Sequence, residues 1–432
     1  MPRALSGLRR FATSEFLRHG FIVFVSTTLV NALGYAFHFA ISRKIGVVQY
    51  GVLSALNAVF MLSLVVSTIA ATVLVKYAAE FRATGDRARL AALVRALLRY
   101  GTAAAIVATA AAVASSSAIA HFLKIDDVAA VALAMVVIGI SVLTPSLRAV
   151  FQGIEDFRMF ALTCTLESAL KAVFGIGFVY AGYGVEGAFG GWALGSAIAV
   201  VATAALLVVR FRHVPGAAVF IDFRRLLSTM AGVSIATALL TSLSYADVLV
   251  VKHYADPTTA GLYGALSLAG KILLFLGAFL PAVVLPKATR LALAGQSPLG
   301  VLVQACGLVT VISVAGLAVY GFFPRFVVTA LAGPSFAPAA PYVFSYACAM
   351  ALLAALQVVV MYKIGIHRFD FLVPLALCAA GQIVGISLHH ATLEAVIEVL
   401  LLSNGVALLV SAFRINAPLG SPVAVQRSDA AA

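Results

Sequence analysis

The sequence predicts an all-α membrane protein with about twelve transmembrane helices in two six-helix bundles. Three observations predict it: a composition too apolar for a water-soluble core, twelve apolar runs of spanning length, and a lopsided distribution of positive charge between them. Hydrophobic residues make up 63% of the 432 and charged residues 10%, and the mean hydropathy is +1.08. Soluble domains carry roughly 25% charged residues, and no globular interior has room for this much apolar surface.

The apolar runs fall at about 20–41, 52–75, 100–122, 128–147, 159–180, 188–209, 226–251, 264–286, 298–322, 342–362, 371–388 and 393–412. Each can cross a hydrocarbon layer of about 30 Å as a helix, with 371–388 at the short end. None alternates as the strands of a membrane barrel do. The first run is of full spanning length and follows a basic, non-apolar segment, so it reads as a signal anchor. The runs divide the chain into an N-terminal segment 1–19, an N-lobe 20–209 holding six spans, a linker 210–225, a C-lobe 226–412 holding six more, and a tail 413–432.

Positive charge sets the orientation. With the N-terminus placed in the cytoplasm, 22 of the 29 Lys and Arg residues lie in cytoplasmic segments, five (Arg43, Lys44, Lys124, Lys252 and Arg325) lie outside, and Lys171 and Lys271 lie within spans. This predicts a multi-pass protein of a bacterial inner membrane with both termini cytoplasmic. It also accounts for the net charge of +13 through anionic lipid heads. No patch interleaves basic and aromatic residues, so no nucleic-acid partner is expected. GAFGG at 187–191 is not a dinucleotide fingerprint, since no GxGxxG follows a strand. No metal-ligand spacing is present, so no cofactor is expected. The four cysteines, Cys164, Cys306, Cys348 and Cys378, all lie in apolar segments and form no disulfide framework. The stretch 76–99 reads as a basic amphipathic cytoplasmic helix touching lipid headgroups.

The two lobes carry a weak internal repeat. At an offset of 210, Tyr35 meets Tyr245, Ala36 meets Ala246, Gly51 meets Gly261, Ala55 meets Ala265 and Leu56 meets Leu266. Both stretches are a helix end, an outside turn and a helix start. An even number of spans per lobe makes the repeats parallel, as in transporters whose halves rock against each other.

A charge at mid-bilayer costs at least ~2.5–3.5 kcal/mol, so each one is a candidate site residue. Lys171 and Glu167 lie one turn apart on one helix face. Two readings stand: a cationic point for a pyrophosphate tuned by Glu167, or a self-neutralising pair. Lys271 and Asp247 are expected at similar depth, about 6–10 Å below the outer surface at 1.5 Å per residue. They are read either as a static pair or as a switch in which Asp247 takes up a proton or cation and frees Lys271. Glu394 and Glu398 share a face near the outer end of the last span, as anchors or as a protonatable pair. His38 is either pH-responsive or a satisfied buried histidine. The glycines between 175 and 195 serve as hinge or as close-packing positions.

The segments RKIGVVQYGVLSALNA (43–58), FQGIEDFR (151–158), GIGFVYAGYGVEGAFGGWALGS (175–196), YADVLVVKHYADPTTAGLYGALSLAGKI (245–272) and LAGPSFAPAAPYV (331–343), in this order and spacing, resemble the Wzx-like oligosaccharide flippases of the multidrug/oligosaccharidyl-lipid/polysaccharide (MOP) exporter superfamily. The resemblance spans nearly all of 20–412. It implies a V-shaped pair of bundles and alternating access that moves a lipid-linked oligosaccharide, usually on undecaprenyl pyrophosphate, to the outer leaflet for surface polysaccharide biosynthesis. On this reading Lys171 and Lys271 form the anion cavity, while Asp247, Glu167 and Glu398 couple or switch charge. The partners are the lipid-linked glycan, membrane lipids, and the polysaccharide polymerase and export machinery. The resemblance departs from the superfamily's drug exporters, which place an acid in the first helix; Gly20–Ile41 has none. It departs from the lipid II flippases in having no arginine there and only twelve spans. An ion-coupled drug exporter is the alternative. A polytopic polymerase or ligase enzyme fits less well, because the short outer loops offer no nucleophile–base set.

Overall fold

The computed structural model describes residues 2–215, 223–277, 279–413 and 415, and the side chains of 2–20, 223–229, 279, 281, 282 and 293 lie outside that description. Most of the tail 413–432 and part of the linker 210–225 therefore fall outside the described residues. The α-helices are α1 (Pro2–Ala83), α2 (Arg87–Ala96), α3 (Thr102–Ala114), α4 (Ser116–Leu123), α5 (Val128–Gly153), α6 (Phe157–Phe178), α7 (Gly184–Phe211), α8 (Phe223–Tyr254), α9 (Pro257–Gly277), α10 (Phe279–Leu293), α11 (Leu299–Phe322), α12 (Pro324–Ala332), α13 (Ala340–Gly365), α14 (Leu372–Leu388) and α15 (Leu393–Ala412). Among the described residues there is no strand.

Nine continuous helical segments among the described residues are long and apolar enough to span a membrane. Two of them are too long for one crossing. Phe21–Ala83 has 63 residues, about 95 Å of helix at 1.5 Å per residue, three times the hydrocarbon thickness of about 30 Å. It breaks at Gly46, where φ is 76°. That left-handed value suits a residue without Cβ. Phe157–Phe211 breaks at Gly182 (φ 103°) and Gly184 (φ 52°), and α6 and α7 on either side pack against each other. Reading both as double passes and adding the shorter apolar α14 gives twelve crossings. The chain is a multi-pass α-helical membrane protein.

Aspartates start several helices. The carboxylates of Asp86, Asp127 and Asp156 accept from the backbone N–H of Arg89, Ala130 and Met159, satisfying donors that the first helical turn leaves open. Asp256 accepts from the N–H groups of Thr258 and Thr259, ahead of Pro257, a residue preorganised for the first helical position.

The chain divides into two compact units, Met1–Met230 and Ala231–Ala432. In the first, α5 packs against α1, α3 and α7, and α6 packs against α1 and α7. The expected cytoplasmic helix over 76–99 is interrupted at Thr84–Asp86, where Gly85 has φ 70°. Its second part, α2, turns Leu90, Leu93 and Val94 onto Ala78 and Phe81 of α1, Leu147 and Phe151 of α5, and Leu207 and Phe211 of α7. The apolar face of α2 thus caps helix ends, and the headgroup contact expected of it is left to its arginines. In the second unit α13 is central, packing against α9, α10, α11 and α15, with α14 on α15.

Candidate functional site

In the first unit the glycines of α7 shape the surroundings of Lys171. A Cβ on Gly187, Gly191 or Gly195 would lie within 3.0 Å of the backbone of α6, at Phe178, Gly175 and Lys171 respectively. The spacing of four keeps these positions on one face. Three absent side chains let α7 press onto α6 at the turn that carries Lys171, so these glycines act in close packing, while Gly182 and Gly184 make the turn. The consequence is that Trp192, one residue after Gly191, stands over the Lys171 ammonium, with Nζ 3.4 Å from the ring centroid. Phe37 of α1 supplies a second face at 4.7 Å. Phe60 and Phe189 hold the indole, with ring centroids 4.5 and 5.7 Å away.

No carboxylate lies within ion-pair distance of Lys171 among the described residues. Glu167 does not pair with it, contrary to the self-neutralising reading. Its Oε2 accepts from Arg148 Nη2 at 2.5 Å, and its Oε1 accepts from the Ser196 hydroxyl at 2.8 Å. Arg148 also donates to the Thr163 carbonyl. Residues four apart on a helix are neighbours only if their side chains lean together. Here Arg148 reaches in from α5 with 13% of its side chain exposed and takes the carboxylate first. The lysine is left to the rings. Cation–π contacts contribute ~0.5–2 kcal/mol each, so two of them offset much of the ~2.5–3.5 kcal/mol insertion cost. Lys171 is only partly buried. His38, beside Phe37, has Nδ1 3.2 Å from the Tyr50 hydroxyl and is a satisfied histidine.

In the second unit Asp247 is fully buried. Its Oδ2 accepts from the hydroxyls of Tyr263 at 2.7 Å and Tyr346 at 3.0 Å, and Oδ1 has no hydrogen-bond partner among the described residues. Lys271 is also buried, but it donates to the Ser267 hydroxyl at 2.5 Å and lies 4.2 Å from the Tyr245 ring centroid. The two residues form no ion pair among the described contacts, correcting the expected pairing. The reason is register. Helix α9 starts at Pro257, ahead of the apolar run, so Lys271 lies fourteen residues from its first residue, about 21 Å at 1.5 Å per residue. Asp247 lies seven residues before Tyr254, the end of α8, about 10 Å by the same rise. The antiparallel register sets Asp247 opposite Tyr263. Tyr263, Ser267 and Lys271 follow one face of α9 at a spacing of four, and Tyr346 of α13 packs its ring where a Cβ on Gly270 would stand.

The sequence reading missed these aromatic and polar partners. Arg148 was placed in a cytoplasmic loop because it follows an apolar run. Tyr245, Tyr263, Tyr346 and the sole tryptophan carry no charge, so an inventory of charges passes over them. Gln382, donating to the Leu243 carbonyl one turn from Asp247, and Asn404, donating to the Ala349 carbonyl, are buried amides whose oxygens have no partner among the described residues. Glu398, with Glu394, is exposed on α15 and pairs with no cation among the described residues. No group of three His, Cys, Asp or Glu among them suits a metal ion.

The chain matches no protein-family model and no curated protein. Solved structures do match over almost its full length. An inward-facing multidrug resistance MATE family transporter of the MOP superfamily superposes with a TM-score of 0.75 at 13% identity, covering 90% of this chain and 94% of that one. The lipid II flippase MurJ in an inward closed conformation gives 0.62 at 13% identity, covering 93% and 87%. The eukaryotic MATE transporter AtDTX14 gives 0.62 at 12%, covering 92% and 95%. The helix order, the two units and these superpositions together give this chain the fold of MOP-superfamily transporters.

Proposed function

We propose that the protein is a flippase that moves a lipid-linked oligosaccharide, carried on a polyprenyl pyrophosphate such as undecaprenyl pyrophosphate, across a bacterial inner membrane by alternating access for surface polysaccharide biosynthesis. The observation that carries this reading is Lys171: an ammonium within a span, partly accessible, bordered by Trp192 and Phe37, and without a carboxylate of its own. An unpaired cation at that depth is costly, and a diphosphate headgroup is the kind of ligand that relieves the cost. The fold shared with transporters supports a transport role.

Lys271 is proposed as a second cationic position and Asp247 as the coupling group. Asp247 takes up a proton or cation at Oδ1, the carboxylate oxygen with no hydrogen-bond partner among the described residues, independently of Lys271. Glu167 holds Arg148 in place and leaves Lys171 for the substrate. The polysaccharide polymerase and export machinery are the proposed downstream partners, and cytoplasmic termini follow from the arginine distribution.

The test is flipping of a fluorescent polyprenyl-pyrophosphate oligosaccharide by the purified protein in vesicles. Lys171→Gln is expected to slow it about tenfold, the effect of losing one charge-assisted contact, and Lys171→Arg less. Normal flipping by Lys171→Gln contradicts the reading. The second reading, ion-coupled export of an organic cation, is favoured by the buried carboxylate of Asp247. A deletion strain that becomes drug-sensitive without accumulating lipid-linked glycan would establish it instead.

A further inference from the structure

The first unit has an apolar groove apart from the Lys171 site. Its volume is about 520 Å3, and it is lined by α3, α5 and α7, within the ~300–1,000 Å3 of pockets that bury small ligands. The α3 wall runs from Thr102 through Ala105 and Ala110 to Val113, eleven helical steps or about 17 Å, roughly half the hydrocarbon layer. Small side chains create the space: Ala105 and Ala110 on α3 and Ala197 on α7. Helices α3 and α5 meet at the groove floor, where a Cβ on Gly139 would strike Thr109. Ile106 and Val201 on its rims are exposed, so it opens sideways.

Charge lies near one end. Thr102, exposed, follows the π-helical turn Leu97–Gly101. Arg99 in that turn is exposed, with its guanidinium 5.5 Å from the Tyr100 ring centroid and no carboxylate partner among the described residues. Arg95, one turn earlier, is also exposed and donates to the Val214 carbonyl at 3.0 Å. An apolar trench ending in an arginine with no carboxylate partner among the described residues complements a lipid with an anionic head and a long apolar tail.

We propose that this groove holds the tail of a polyprenyl phosphate, its phosphate against Arg99 and Thr102 and its first isoprene units along Ala105, Ala110 and Ala197. The assignment rests on the flippase reading for the identity of the tail. It adds a holding site in the leaflet on which the arginines lie, separate from Lys171.

The experiment uses the full chain in vesicles with a diazirine-tagged polyprenyl phosphate, and peptides from α3 and α7 are examined for label after illumination. Labelling there is expected to be competed by untagged polyprenyl phosphate and not by phosphatidylglycerol. Ala110→Phe, which fills the groove from its open side, is expected to lower it about tenfold, equivalent to losing about two buried methylenes. Arg99→Gln is expected to lower it about fivefold while leaving labelling by tagged neutral polyprenol unchanged. Val311→Phe, on an exposed face of α11, serves as the control. Equal competition by phosphatidylglycerol would show bulk-lipid contact only and overturn the proposal, as would full labelling of Ala110→Phe. Labelling requires no transport, so failure of the flippase reading, seen as normal flipping by Lys171→Gln, is read separately from failure of this one.

Discussion

Each unit carries one lysine within a span, and the two are kept in opposite ways. Lys171 in the first unit sits partly accessible over two aromatic rings, while the nearby acid, Glu167, is occupied by Arg148 and Ser196. In the second unit it is the acid that stands out: Asp247 is fully buried, held by two tyrosine hydroxyls, and Lys271 is buried against Ser267 and Tyr245. At the 210-residue offset that aligns the outer turns of the two lobes, Asp247 corresponds to Phe37, Lys271 to Met61 and Lys171 to Gly381. None of the three charges has a charged counterpart. The lobes repeat their frame and not their chemistry. The first unit holds a lysine with no carboxylate partner among the described residues, and the second buries a carboxylate against two tyrosine hydroxyls.

This contrast can be broken or sharpened at four places. The largest effect is expected at the partner of Glu167. Arg148→Ala leaves a carboxylate without its cation in the first unit and should destabilise the protein by about 3–5 kcal/mol, seen as a lower midpoint in denaturant-induced unfolding in detergent. Arg148→Ala with Glu167→Leu should recover most of the loss. If the single variant is as stable as wild type, the carboxylate is not committed to Arg148, and Lys171 is not left to the rings.

In the second unit, Tyr263→Phe and Tyr346→Phe each remove a hydrogen bond to a buried carboxylate and should cost about 1.5–3 kcal/mol in the same unfolding measurement. Equal stability of both variants would mean that Asp247 is not held by the tyrosines. Next comes the α6–α7 seam. Gly191→Ala sets a methyl against the backbone of Gly175 and should cost about 1–3 kcal/mol by overpacking. It should also shift the emission of the only tryptophan, because Trp192 follows Gly191 directly. Gly190→Ala, where the nearest atom to a Cβ is 3.7 Å away, should do neither. The smallest effect is at the turn between α8 and α9. Hydrogen bonds from Thr259 and Thr258 hold the Asp256 carboxyl below its ordinary range. Its capping contribution is therefore complete above the usual carboxylate pKa and is lost as pH falls through the lowered folded value. Asp256→Ala should cost about 0.5–1 kcal/mol near neutral pH and nothing below that range, checked by thermal unfolding at a series of pH values.

The spans were legible because each has to bury its own length of apolar sequence, and the two double passes follow from Gly46 and from Gly182 and Gly184, which the apolar pattern leaves as breaks. The intramembrane charges Lys171, Glu167, Asp247 and Lys271 were legible for the same reason, as exceptions in apolar runs. Their pairing was not. It depends on which way a side chain leaves its helix and on register between helices, and neither is written in spacing along one strand of sequence. Arg148 reaching back from the end of α5 is a property of three helices together. So is the height of Lys271, because α9 begins at Pro257, well before its apolar run at 264. The aromatic cage follows from glycines that allow α7 to touch α6, a contact visible only once both helices are placed.

The central claim is that Lys171 is an open cation awaiting an anionic lipid headgroup. Trp192 reports on it directly, standing 3.4 Å from the ammonium as the only tryptophan in the chain. Tryptophan emission should be followed while a polyprenyl pyrophosphate is titrated into the purified protein in micelles. The account predicts a saturable change in emission that polyprenol without phosphate does not produce and that Lys171→Gln abolishes while its far-ultraviolet circular dichroism stays unchanged. A flat titration in the wild-type protein, or the same change in Lys171→Gln, would contradict it.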